Sequence, residues 1–159
     1  LHLRMSIKEL TSHLDLGVAK HQRIMKKIVS FDFDSTLSLR SVQDYAESLI
    51  NKGYEVWIIT SRLPDGSDPK YKMHGMWVPI DNSDLFEVSD RLGIKREHIV
   101  FTSHELKSEK INELGIPFIF HLDDDWVELN HINRETRTKG VSCFGTSGWK
   151  QKCNKILNC

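Results

Sequence analysis

The feature that most constrains the fold is a short apolar run at residues 28–33, Ile-Val-Ser-Phe-Asp-Phe, which carries Asp32 and is followed by Asp34. A run of this length and composition reads as a β-strand. Strand alternation sends side chains two apart to the same side, so Asp32 and Asp34 are expected to face one point. Like charges that close are costly unless a cation lies between them or one keeps its proton. The spacing therefore implies a hard divalent metal, an acid/base pair, or both. Ser35, Thr36 and Leu37 follow at once, supplying hydroxyls and a turn, which is the layout of a phosphate site.

The rest of the chain repeats the strand and alternates it with helices. Residues 38–52 carry Val42, Tyr45, Ala46, Leu49 and Ile50 at helical intervals and stop at Gly53. Residues 54–60 form a second apolar run ending in Thr60, Ser61 and Arg62. Strand, helix and strand in so short a span predict a right-handed βαβ unit with parallel strands. Further on, the pattern predicts helices at 84–92, 104–114, 126–133 and 149–157, with Gly93 and Gly115 as stops, and strands at 98–102, 117–122 and 140–144. The class is α/β: a three-layer sandwich on a Rossmann-like, five-stranded parallel sheet.

Two segments stand outside this rhythm. Residues 63–83 hold Pro64, Gly66, Pro69, Gly75 and Pro79 around Tyr71, Met73, His74, Met76 and Trp77, a long loop or small excursion. It reads either as a flap packed by its own aromatics or as a substrate-contacting element. Residues 1–24 form an extension ahead of the main domain at 25–159. There Ser6 with Glu9 makes a capping box, and Ile7, Leu10 and Leu14 fall at helical spacing, so one amphipathic helix is expected. Such a helix would dock on the core or pair subunits into a homo-oligomer. His2, His13 and His21 lack ligand spacing among themselves.

Composition removes several alternatives. A chain of 159 residues fits one domain with a real core. Lys plus Arg balance Asp plus Glu at 22 each, so net charge argues for neither a nucleic acid nor an acidic membrane as partner. No apolar run is long enough to span a bilayer and no secretory signal is evident, so the expected address is the cytoplasm. Cys143, Cys153 and Cys159 read as free thiols without the paired spacings of a zinc site.

In an open parallel sheet, ligands bind beyond the carboxyl ends of the strands, where strand order reverses. Polar groups close the apolar runs at those ends: Asp32 and Asp34, then Thr60 and Ser61, then Asp123 and Asp124. Core packing does not require that coincidence.

Taken together, Asp32-x-Asp34-x-Thr36, Ile58-Ile59-Thr60, Leu122-Asp123-Asp124 and an upstream lysine resemble the four motifs of the haloacid dehalogenase (HAD) superfamily, most of whose members are magnesium-dependent phosphatases. The resemblance runs from Lys26 to about Ser142 and is similar to that of small HAD-type proteins of phages. Ser35 stands where Gly is commonest in the first motif. The lysine is Lys107 or Lys110, with Lys107 fitting better by its distance to Leu114-Gly115. The resemblance implies a HAD-like fold and a Mg²⁺-dependent phosphomonoester hydrolase. Asp32 would be the nucleophile, forming an aspartyl phosphate, and Asp34 the acid/base. Mg²⁺ would be held by Asp32, the backbone carbonyl of Asp34, and Asp123, with Asp124 bound directly or through water. Lys107 and Thr60 would offset phosphoryl charge, and Ser61, Arg62 and Thr36 would complete the substrate-binding set.

Other roles stay open. Arg62 would clamp a substrate phosphate or pair with Asp65. His121 reads as a packed structural histidine, and Asp125 as the cap of the following helix. The interval between Leu37 and Tyr54 has room for one helix only, so no large cap is expected. An open site suits a phosphorylated small molecule or a nucleic-acid end, and Trp77 and Tyr71 could stack on the base of a nucleotide or polynucleotide phosphate. The competing class is a non-catalytic or regulatory phosphate-binding protein on the same scaffold, which would be expected to lose an acidic residue or the lysine. A receiver-type domain suits the sheet but not the Asp-x-Asp-x-Thr order.

Overall fold

The computed structural model describes residues 26–145 and 147–158. The helix expected at 1–24 and Cys159 lie outside the described residues. Five parallel strands form the main sheet: β1 (Ile28–Phe31), β2 (Glu55–Thr60), β5 (Ile99–Phe101), β6 (Phe118–Asp123) and β7 (Lys139–Ser142). A separate antiparallel hairpin, β3 (Lys72–Met73) and β4 (Met76–Trp77), lies within residues 63–83. The helices are α1 (Arg40–Asn51), α2 (Ser83–Leu92), α3 (Lys107–Leu114), α4 (Trp126–Glu135) and α5 (Trp149–Leu157). This is the expected three-layer, Rossmann-like sandwich, and no large cap is present among the described residues.

Alternation along the strands divides the core between the two faces of the sheet. Val29, Phe31, Val56, Ile58, Phe120 and Leu122 pack with Val42, Ala46 and Leu49 of α1, Leu85 of α2 and Cys153 of α5. On the other face Trp57 and Ile59 pack with Ile111 of α3 and Ile132 of α4. Phe31, fully buried, meets the rings of Phe120 and Tyr45 edge-on, at centroid distances of 5.7 and 6.5 Å. Truncating such a ring to alanine costs about 3–5 kcal/mol, so this cluster fixes the centre of the sheet.

Boundaries shift where the backbone turns. The first strand ends at Phe31 rather than running to Phe33, because Asp34 and Ser35 leave it, Ser35 with φ +57°. The helix expected from residue 104 begins at Lys107, because Ser103 and His104 both take positive φ. Gly93 and Gly115 end α2 and α3 in the left-handed conformation, as their positions suggested. Asp125 caps α4, accepting hydrogen bonds from the N–H groups of Val127 and Glu128. Cys143 and Cys153 are free. No helix among the described residues is long and apolar enough to cross a membrane.

The sheet order is β5-β2-β1-β6-β7. The chain builds outward from β1 through β2 to β5, then returns to place β6 on the other side of β1. Strand order therefore reverses between β1 and β6, and the crevice at their carboxyl ends is where a ligand is expected.

Candidate functional site

Asp32 follows β1 and Asp123 closes β6, so the two neighbouring strands deliver their carboxylates to that crevice. The Asp32 N–H donates to the Leu122 carbonyl at 2.8 Å, which carries the strand pairing up to the nucleophile candidate itself. Lys107, the first residue of α3, reaches in from the other side. Its Nζ lies 2.9 Å from Asp32 Oδ1 and 2.6 Å from Asp123 Oδ2, and all three side chains are buried. The lysine at the centre is thus Lys107. Lys110 instead pairs at the surface with Glu105 and Glu113.

The carboxyl oxygens of Asp32, Asp123 and Asp124 lie within 4.8 Å of one another. Against these carboxylates stands the single ammonium of Lys107, while burial lowers the pKa of His121 and keeps that ring neutral. Burial pushes the Asp32 carboxyl up to about 8; the Lys107 charge opposes this and the Asp123 charge adds to it. Burial also acts on Asp123, but the hydrogen bond from His121 and the hydrogen bond and charge of Lys107 outweigh it and hold that carboxylate below its ordinary range. Lys107 is raised, its burial overcome by Asp123 and Asp32, and Asp124 is raised chiefly by burial. An all-oxygen donor set with surplus negative charge in a buried crevice fits a hard divalent cation.

Asp34 is placed differently from the alternation argument. Because β1 stops at Phe31, the Asp34 carboxylate does not join the acidic cluster and is gripped by Arg62 instead. Arg62 also forks onto Asp84 of α2, at 2.7 and 2.9 Å, and reaches Asn82 at 3.3 Å. Its guanidinium carbon sits 4.9 Å from the centroid of the Phe33 ring. Of the two roles left open for Arg62, the pairing with Asp65 is not found. Asp65 accepts from the backbone and side-chain amides of Asn82.

The hydroxyl residues divide into two kinds. Thr36 is fully buried and donates to Asp32 Oδ2 at 3.3 Å, so it orients the Asp32 carboxylate rather than presenting a hydroxyl to solvent. Thr60 is also buried, its Oγ1 accepting from the Arg62 N–H at 3.3 Å. Ser61 follows β2, half-buried, and its carbonyl accepts from His104 N–H. The φ of +57° at Ser35 explains why Gly suits that position: no Cβ then opposes the left-handed turn.

Two contributors, Asp84 and Asn82, were not evident from the sequence, whereas His121 is the packed histidine expected there. His121, fully buried, contacts Asp123 Oδ2 through Nε2 at 2.8 Å and Ser30 Oγ through Nδ1 at 2.9 Å. With Nε2–H donating to the carboxylate, Nδ1 accepts from the Ser30 hydroxyl, so a Ser30–His121–Asp123 chain braces the metal-ligand candidate from inside the sheet. The signal was available, since His121 and Asp123 are two apart on one strand and share a face. Asp84 and Asn82 had no such signal, because only the packing of α2 brings them to Arg62.

No family model matches the sequence, and no curated protein does. Among solved structures, the chain is similar to a Vibrio cholerae protein described as "putative 3-deoxy-D-manno-octulosonate 8-phosphate phosphatase", at 18% identity over 84% of each chain and a TM-score of 0.43.

Proposed function

We propose that the protein is a phosphomonoester hydrolase of the HAD type that works through an aspartyl phosphate on Asp32. The observation that carries this reading is the convergence of Asp32, Lys107 and Asp123, from three separate elements, within hydrogen-bond distance at the point where strand order reverses. A carboxylate oxygen of Asp32 attacks phosphorus as the bond to the leaving oxygen breaks, and Asp34, once protonated and released from the Arg62 fork that engages both its oxygens, delivers its proton to the leaving oxygen. Asp34 then takes a proton from water, which attacks the same phosphorus and restores the Asp32 carboxylate. Lys107 offsets charge on the phosphoryl oxygens. Thr36 holds Asp32 in orientation, Ser30 and His121 do the same for Asp123, and Arg62 fixes the Asp34 side chain. Mg²⁺ held by Asp32, Asp123 and Asp124, together with the Asp34 backbone carbonyl, would supply further charge neutralisation at the phosphoryl group.

The test is release of inorganic phosphate from p-nitrophenyl phosphate with and without Mg²⁺. Wild-type protein is expected to turn over with the metal, and Asp32→Asn is expected to be inactive while still folded. Catalysis surviving that substitution contradicts the nucleophile assignment. Phosphate binding without turnover by the wild type favours a binding module instead.

A further inference from the structure

Beside the candidate site lies a cavity of about 340 Å³, walled by Arg62, Tyr71, Val78, Pro79, Ile80 and His104. Arg62 is the common wall: the residue that holds the Asp34 carboxylate also lines this space. One side chain therefore separates the cavity from the proposed proton donor.

The cavity exists because the chain leaves the sheet after β2, forms the β3–β4 hairpin and returns as α2. His74 and Gly75 both take positive φ, +50° and +78°, and close a two-residue turn that fixes the register of Met73 on Met76 and Lys72 on Trp77. The Val78 N–H donates to the Tyr71 carbonyl and extends the ladder. Alternation then gives the hairpin two unlike faces. Lys72 and Trp77 share one, where the lysine ammonium lies 4.7 Å from the Trp77 ring centroid. Tyr71, Met73, Met76 and Val78 share the other. Tyr71 and Val78 wall the cavity, and Tyr71, Met73 and Met76 continue outward as an apolar strip, 56%, 57% and 73% exposed. Of the two rings expected to stack on a base, Tyr71 faces the cavity and Trp77 is engaged by Lys72.

The opposite wall is equally definite. Ser103 and His104 are non-glycine residues in succession at φ +53° and +68°. Their N–H groups donate to the carbonyls of Arg62 and Ser61, which ties the His104 loop to the end of β2. Such conformations are uncommon away from functional sites.

On the phosphatase reading above, we propose that this cavity receives the leaving group of the substrate and that the leaving group is a nucleoside, its base against Tyr71 and its phosphate-bearing oxygen directed past Arg62 toward Asp34. The size is at the low end of the range of about 300–1,000 Å³ for small-molecule sites, enough for one ring system with its sugar. Val78, Pro79 and Ile80 give the wall an apolar stretch beside Tyr71 against which a flat base can pack. Asp81, also on the wall, supplies an acceptor for an exocyclic amino group.

The experiment compares full-length wild type, Tyr71→Ala and Tyr71→Phe on adenosine 5′-monophosphate, adenosine 3′-monophosphate, a 3′-phosphorylated tetranucleotide and glycerol 2-phosphate with Mg²⁺. The ratio of kcat/KM on the best nucleotide to that on glycerol 2-phosphate is expected to fall about tenfold or more in Tyr71→Ala, through KM, and to be largely kept in Tyr71→Phe. Preference for a mononucleotide marks a free nucleotide as the source, and preference for the tetranucleotide marks a strand end. An unchanged ratio in Tyr71→Ala overturns the proposal. Binding of unphosphorylated adenosine, followed by ligand-observed NMR, reads the cavity without catalysis. Tyr71-dependent adenosine binding in a protein that hydrolyses nothing would remove the phosphatase reading and leave the nucleoside pocket. Hydrolysis without adenosine binding or nucleotide preference would do the reverse.

Discussion

Arg62 holds Asp34 in a two-point fork, Nε to Oδ2 at 2.9 Å and Nη2 to Oδ1 at 2.7 Å. The same guanidinium spans to Asp84, and the hydrogen bonds it donates to Asp84 and Asp34 raise its own pKa well above the arginine range. A planar fork can hold two carboxylates in fixed orientation, which a lysine cannot. Arg62→Lys is therefore expected to lower kcat/KM for p-nitrophenyl phosphate by roughly tenfold or more. Its stability should change by less than about 1 kcal/mol, because both carboxylates are more than half exposed. Steady-state kinetics beside urea denaturation separates the two effects.

Lys107 is the counter-charge of the buried Asp123 carboxylate and, once Asp32 loses its proton near pH 8, of Asp32 as well. Removing one partner of such a cluster leaves the others uncompensated, so Lys107→Met is expected to destabilise the metal-free protein by about 3–5 kcal/mol. Adding Asp32→Asn to Lys107→Met should recover part of that loss. A double-mutant cycle by urea denaturation in EDTA checks this, and strict additivity would show that the two groups do not interact.

The raised Asp32 pKa predicts a particular dependence of stability on pH. Between 3.8 and about 8 the unfolded chain has released this proton while the folded one keeps it. The folded state then binds more protons, so this group's contribution to stability falls as pH rises through the window. Metal-free wild type should lose stability from pH 5 to pH 8 relative to Asp32→Asn, by on the order of a few kcal/mol. Denaturation at several pH values in EDTA gives the difference, and equal slopes for the two proteins would contradict it.

The Ser30–His121–Asp123 chain predicts a stability cost away from the solvent-facing side of the site. His121→Phe removes one of the two hydrogen bonds at Asp123 Oδ2, leaving that from Lys107, and leaves the Ser30 hydroxyl only its 3.5 Å contact with the Phe120 carbonyl, at about 1–3 kcal/mol. Ser30→Ala added to it should cost little more, since the hydroxyl has already lost its shorter hydrogen bond. Thermal melts of the single and double variants test this.

How far the sequence revealed this arrangement depended on whether one strand or several elements made the feature. β2, an unbroken apolar run closed by Thr60, was legible because every side chain from Val56 on is buried and none needs an outside partner. Asp125 as a cap was legible because capping is decided within three residues. Asp34 was misdirected because strand alternation was carried past Phe31, where the backbone turns at Ser35. The choice between Lys107 and Lys110 stayed open in the sequence because the left-handed pair Ser103 and His104 sets where α3 begins, and neither is a glycine. Residues 63–83 were recognised as an excursion, but strands of two residues each leave no periodicity to detect.

The most direct test of the central claim is chemical trapping of the phosphorylated residue. Wild-type protein mixed with a turned-over phosphate ester and Mg²⁺, quenched and treated with borohydride, should yield homoserine at position 32 in the peptide mass spectrum, and only when substrate was present. Phosphate release with Asp32 unmodified, and undiminished in Asp32→Asn, would contradict it.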